Sequence, residues 1–301
     1  MSTTAYAEAL SASEKVHWTV EDLIGGDKRL DFSRPFLPEA LARTRALEFL
    51  TPAEHTALNQ IRGHEYLATF GLVEEFILPF VLDHARPALM EDEVRTRAFL
   101  TFAGEEAKHI HLFRRFREEF QRGFGTECGY IGPAAEITKA VLAHDPLSVA
   151  LVILHIEWMT QRHFQESVRD DQGLDPMFKS LLRHHWMEEA QHAKLDTLMV
   201  ESLAQGRSPE EIARAVDGYL EIGGMLDQGL MAQVDLDLAA FEQATRRRLT
   251  AQEKERFLAV QRQAVRWTFL GSGMTHPRFV ATLQALGPAA EKVRAVAPAF
   301  C

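Results

Sequence analysis

Two copies of a Glu-x-x-His motif, each standing 32 residues after a glutamate in a long apolar stretch, constrain this chain more than any other feature. The first copy reads Glu105-Glu106-Ala107-Lys108-His109, and the second reads His185-Trp186-Met187-Glu188-Glu189-Ala190-Gln191-His192. Glu74 precedes Glu106 and Glu157 precedes Glu189, so a shift of 83 positions carries Glu74, Glu106 and His109 onto Glu157, Glu189 and His192. At 3.6 residues per turn, a Glu and a His three apart share one helix face. His185 adds a third group to the second face, four residues before Glu189. Charged groups in an apolar stripe need partners, because burying an unpaired charge is costly. One Glu from each of two helices, with a Glu-x-x-His from each of two others, is a donor set for two metal ions inside a four-helix bundle. A third copy, Glu14-Lys15-Val16-His17, lies in a polar segment without a duplicate and is read as accidental.

Composition narrows the classes that remain. The chain has 301 residues and is 46% hydrophobic, enough for a substantial core. Its two cysteines, Cys128 and Cys301, are too few for a disulfide framework, which points to a reducing cytoplasm. The N-terminal residues lack the basic start and apolar run of a signal peptide, and no uncharged apolar stretch is long enough to span a membrane. A net charge of -10 offers no basic field for nucleic acid or an anionic membrane. Two divalent cations would neutralise four buried glutamates.

Start signals recur along the chain at helical spacing. Thr51-Pro52-Ala53-Glu54 is a capping box that opens a helix to about residue 85, with Leu67, Phe70, Ile77, Leu78 and Val81 on the face of Glu74. Further helices are expected near 91 to 122, 146 to 170 and 176 to 205, the last two opened by Asp145-Pro146 and Asp175-Pro176. Capping boxes at Ser208-Pro209-Glu210-Glu211 and Thr250-Ala251-Gln252-Glu253 open later helices, and His276-Pro277 opens the last. No segment alternates at period two over a useful length, so no sheet is expected. The expected organisation is a single all-α domain: an N-terminal arm with short helices (1–50), a four-helix core (51–206) and accessory C-terminal helices packed on it (207–301). The C-terminal third reads as packing layer, subunit interface or cavity wall, a homodimer is expected, and Arg246-Arg247-Arg248 reads as a solvated helix end.

Glutamate and neutral imidazole suit ferrous iron or manganese, and the absence of clustered cysteines argues against thiolate zinc and iron–sulfur chemistry. The expected metal ligands are Glu74, Glu106, His109, Glu157, His185, Glu189 and His192. Glu74 is preferred to its neighbour Glu75 because the 83-residue shift maps it onto Glu157. Glu105 and Glu188 are candidates to accept the free N–H of the histidine on the opposite helix. His185 is expected to bind the iron of Glu189 or His192 and make the two ions inequivalent. Phe102, its counterpart in the first copy, would leave an apolar, open wall for a flat substrate. His111, His155, His163 and His184 project away from the glutamate faces and are not expected to be ligands.

The order Glu, Glu-x-x-His, Glu, His-x-x-x-Glu-x-x-His over roughly residues 60 to 200 resembles that of the non-haem di-iron N-oxygenases of the p-aminobenzoate N-oxygenase (AurF) type. The resemblance implies a ferritin-like bundle holding two iron ions, with manganese as an alternative. It also implies dioxygen as co-substrate, an external electron donor such as a reductase, and oxidation of a small organic molecule, an amine in the family's own chemistry. The competing reading is a ferritin-like ferroxidase or iron-binding protein. Against it stand the third histidine and the extra C-terminal helices.

Overall fold

The computed structural model describes residues 3–301, and among them there is no strand. Three short helices come first: α1 (Thr3–Ser13), α2 (Val20–Leu23) and α3 (Glu39–Ala42). Four long ones follow in two pairs, α4 (Pro52–Ala85) and α5 (Glu93–Phe124), then, after the short α6 (Ala134–Leu142), α7 (Pro146–Arg162) and α8 (Pro176–Ala204). The C-terminal third holds α9 (Pro209–Thr245), α10 (Ala251–Arg266), α11 (Ser272–Met274), α12 (Pro277–Ala285) and α13 (Ala290–Val296). The helices begin where their caps lie. Thr51, Ser208 and Thr250 each form a reciprocal capping box with the glutamate three residues on. Asp92, Asp145 and Asp175 each accept a backbone N–H of the first turn. α5 stops at Gly125, whose left-handed φ of 76° suits a residue without Cβ.

α4 packs on α5, α7 on α8, and α5 on α8, which encloses an interior lined by Phe70, Phe99, Phe102, Phe113 and Phe116. α9 covers α4 and α7, and α1 lies on α5 and α8. The N-terminal segment is therefore more ordered than its sequence suggests. Tyr6, Ala9 and Leu10 bury one stripe of α1, and the strap of residues 31 to 37 is tied to α4 by Asn59. Asn59 Oδ1 accepts the N–H groups of Phe36 and Leu37 at 2.7 and 2.9 Å. Gly63 makes room for this strap: a Cβ there would lie 2.8 Å from that of Phe36. Replacing Gly63 by alanine should lower the melting midpoint and loosen the strap, as read by thermal denaturation and limited proteolysis between residues 25 and 45; an unchanged midpoint would contradict the packing.

The arginine run is not simply solvated. Arg247 pairs with Glu54, at 3.0 Å, and with Glu253, which joins the N-termini of α4 and α10, and Arg248 pairs with Glu242 at 2.9 Å. Among the described residues no helix is long and apolar enough to cross a membrane.

Candidate metal centre

Four helices bring the candidate ligands to one interior layer. Glu74 comes from α4, Glu106 and His109 from α5, Glu157 from α7, and His185, Glu189 and His192 from α8. All seven are at most 2% exposed, whereas Glu75 points outward. Their donor atoms form two overlapping groups, Glu74 with His109, His185 and Glu189, and Glu106 with His109, Glu189 and His192, each within 4.8 Å. His185 Nε2 lies 2.5 Å from Glu189 Oε1 and 3.3 Å from Glu74 Oε1. His192 Nδ1 lies 2.9 Å from Glu106 Oε1 and 3.1 Å from Glu189 Oε2. His109 Nδ1 approaches Glu189 Oε1 at 3.2 Å and Glu106 Oε2 at 3.9 Å. Glu157 joins neither group but is buried beside them, at 1% exposure. The structure thus sets His185 beside Glu74 and His109, not beside His192.

Two further glutamates act from behind. His109 Nε2 is 2.8 Å from Glu188 Oε2, and His192 Nε2 is 2.8 Å from Glu105 Oε2. With the outer nitrogen donating to a carboxylate, Nδ1 of each ring is left to face the interior, which fixes ring orientation and raises basicity. Phe102 does not open a wall. Its ring stacks on His192 with centroids 4.0 Å apart, because a phenyl beside an imidazole fills that volume once α5 and α8 close. The four histidines set aside from the sequence are bound elsewhere. His155 meets Tyr219, His163 lies between Tyr66 and Ser272, His184 meets the carbonyl of Ser180, and His111 is at the surface near Glu21.

Three contributors escaped sequence reasoning. Asp196 lies one turn beyond His192, fully buried, with neither oxygen hydrogen-bonded. The i+4 spacing from His192 was the signal available. Trp18, from the N-terminal segment, stacks on His109 with centroids 6.2 Å apart and planes 9° from parallel. Lys108 lies over the indole at 3.9 Å and pairs with Glu188. Nothing in the local sequence ties residue 18 to residue 109.

The electrostatics of the layer are those of a centre whose cations are replaced by protons. Burial would lower the pKa of His109, yet Glu106, Glu188 and Glu189 carry it well above the usual histidine range. Burial likewise opposes protonation of His192, and Glu189, Glu106 and Glu105 overcome it. Burial pushes Glu157 and Asp196 well up, the charge of Glu189 adding to both. Glu189 is held low against its own burial by the facing His185 and His192. Burial lowers His185. Glu106 Oε1 and Glu189 Oε1 face imidazole nitrogens at 2.9 and 2.5 Å, while three buried carboxylate oxygens, Glu74 Oε2, Glu106 Oε2 and Glu157 Oε2, have no hydrogen-bond partner. Such atoms are rare in a native interior unless something binds them. Converging carboxylate oxygens and imidazole nitrogens of this kind fit a pair of iron or manganese ions.

A pH dependence follows from these directions. A histidine whose folded pKa is raised stabilises the fold below its ordinary value of 6.5, and that contribution is lost as pH rises through the raised value. A metal must displace the same protons, so it binds more tightly as pH rises. The increase in melting midpoint produced by saturating Mn(II) should therefore grow from about pH 6 to about pH 8.5. Differential scanning fluorimetry across that range checks it; an increment that shrinks with pH contradicts the protonated metal-free centre.

A helical bundle with Glu/His clusters buried between its two helix pairs defines a di-metal carboxylate protein. The chain matches the family model for P-aminobenzoate N-oxygenase AurF over residues 3–269. It belongs to that family and is a non-haem di-metal oxidoreductase of the oxygenase/oxidase class. The Glu/His donor set fits iron, with manganese as an alternative, and an oxygenase of this family takes dioxygen as co-substrate. Among solved structures it is similar to an R2-like ligand-binding oxidase. A tyrosine-to-phenylalanine variant with an anaerobically reconstituted Mn/Fe cofactor matches at 15% identity and a TM-score of 0.46, covering 91% of this chain and 93% of that one. A glycine-to-leucine variant with a non-activated Mn/Mn cofactor matches at 16% and 0.45, with coverages of 91% and 93%. No curated protein sequence matches the chain.

Proposed function

We propose that Glu74, Glu106, His109, Glu157, His185, Glu189 and His192 hold the two metal ions. Glu105 and Glu188 orient His192 and His109, and the centre oxidises a small organic molecule. The observation that carries this reading is the convergence of buried carboxylate oxygens and imidazole nitrogens from α4, α5 and α8 into two overlapping groups, each within 4.8 Å, with Glu157 of α7 beside them. When bound, the metals supply electrons to dioxygen. The protein holds the two inner imidazole nitrogens toward the interior, keeps Glu189 ionised between both groups, and excludes water with Phe70, Phe102 and Phe113. An amine as substrate rests on the N-oxygenase activity of the family. An external reductase completes the electron balance, since dioxygen cleavage consumes more electrons than a two-electron substrate oxidation returns. A ferroxidase is the weaker reading, because it uses neither the family relation nor the third histidine.

The reading includes a cytoplasmic setting, supported by the two free cysteines. It also includes a homodimer, supported by Leu82, Leu89, Met90 and Leu100, which are exposed near the joint of α4 and α5. Anaerobic loading with ferrous ion followed by air tests the function. Two irons per chain with consumption of an amine or another small molecule supports it, and growth of a multi-iron mineral overturns it. Glu74→Ala should lose one metal while Glu75→Ala keeps both, as counted by elemental analysis; the reverse pattern would exchange their roles. His185→Phe should retain two metals but slow the reaction with dioxygen, seen in the optical time course after mixing with air. An unchanged time course would make His185 a packing residue only.

A further inference from the structure

A cavity of about 110 Å³ lies between α4, α6, α7 and α9. α6 and α9 each pack on both α4 and α7, which scarcely approach one another, so the seam between those two helices is bridged and not filled. Voids larger than a water molecule are few in a native interior, and each costs stability in proportion to its volume. A chain that keeps one this large forgoes that stability. Every side chain lining it is apolar, from Leu72 and Phe76 on α4 to Val152 on α7 and Ile222 on α9. That lining decides what can occupy it. A buried water needs two or more polar partners, and a site for an organic substrate needs convergent polar groups to fix orientation; neither finds them here. An apolar cavity of roughly 150 Å³ engineered into another protein stays dry and takes up xenon or benzene. The occupant favoured is small, uncharged and makes no hydrogen bonds.

The position of the cavity singles out dioxygen among such molecules. Its inner wall stands at the level of the metal layer. Val73 precedes Glu74 and Ile156 precedes Glu157, and successive residues diverge by about 100° around a helix, so these two apolar side chains flank the two glutamates on the cavity side. Behind that wall Glu74 and Glu157 each leave one oxygen, Oε2, without a hydrogen-bond partner. At the outer end Met225 of α9 is 40% exposed, and Ala140 of α6 is exposed beside it. The cavity therefore extends from the surface to the wall beside two candidate ligands, with no polar side chain along it to hold water. An apolar gas leaves water for such a space without losing a hydrogen bond.

We propose that this cavity is the route by which dioxygen reaches the metal centre, with Val73, Phe76 and Ile156 as its inner wall. The proposal rests on the oxygenase reading above. Crystals of the Mn(II)-loaded full chain pressurised with xenon should show a xenon atom between α4, α6, α7 and α9. Val141→Phe, which fills the cavity from α6, should exclude it, whereas Ile222→Ala, which widens the opposite wall, should keep it. When the ferrous-loaded chain is mixed with dissolved oxygen, the second-order rate of its oxidation should fall severalfold in Val141→Phe and stay at or above the parental value in Ile222→Ala. Should Val141→Phe not fold, Ala140→Trp caps the exposed mouth and carries the same expectation for the rate. A parent that takes up no xenon, or a filled or capped variant oxidised at the parental rate, overturns the route. Metal content is counted in every sample: a two-iron parent inert to dioxygen sinks the oxygenase reading and the route together, whereas xenon excluded without any slowing sinks the route alone.

Discussion

Replacing Glu189 by alanine is expected to empty the centre of both metals, with affinity reduced by more than the roughly 10–100-fold typical of supporting residues. Glu189 is common to both groups of donor atoms, is 2% exposed, and faces three imidazoles, those of His109, His185 and His192. Its removal takes away the carboxylate that keeps those rings charge-compensated. The stabilisation on adding metal, about 2.7 kcal/mol at a hundredfold excess over Kd, should vanish as well, and with it the rise in melting midpoint. Elemental analysis after loading and gel filtration checks the first effect, and melting with and without Mn(II) checks the second. Two metals retained by this variant would mean that the centre is not built around Glu189. The contrast with Glu74→Ala, where one group survives, makes the result specific.

Arg62→Ala should destabilise the fold by about 3–5 kcal/mol without touching the metal layer. Arg62 is fully buried on α4, its Nη1 lying 3.0 Å from Glu65 Oε2 and 3.7 Å from Asp237 Oδ2 of α9. Burial raises the Glu65 carboxyl to about 8 and Asp237 to about 6, even though Arg62 pulls both down. Carboxyls raised in the fold bind protons that the unfolded chain releases. Their contribution is present at low pH and is lost as pH rises through about 6 and then about 8. Without the guanidinium, ionising either acid inside the protein becomes costlier, so the deficit should be larger at pH 8 than at pH 6. Chemical denaturation at both values measures it; a variant equally stable at both would show that the pair is solvated and not buried. Asp237 also accepts a hydrogen bond from Gln233, which pins residues 129 to 131, so that segment should loosen in the same variant.

The metal layer was unusually legible because its chemistry is local. Glu-x-x-His on a helix fixes a shared face through 3.6 residues per turn, whatever the rest of the chain does. The duplication over 83 residues gave the two remaining glutamates their positions, and the capping residues marked where each helix begins. The wrong expectations concern long-range neighbours. Phe102 was read as an open wall by its register, and it stacks on His192 because α5 meets α8 there. The arginine run does end α9, with Arg246 and Arg248 exposed, but Arg247 also joins α10 to α4 through Glu253 and Glu54.

By itself the sequence determined the helical class, the helix starts and the set of buried carboxylates and imidazoles, since periodicity, capping and apolar stripes act within a few turns of one chain segment. Only the tertiary structure decided that His185 stands with Glu74 and His109, that Trp18 covers His109, that Asp196 lies within the charged layer, and that Gly71 faces Phe113. These depend on which helix faces which and at what level, and that is set by packing between segments far apart in sequence, whose geometry no local pattern carries.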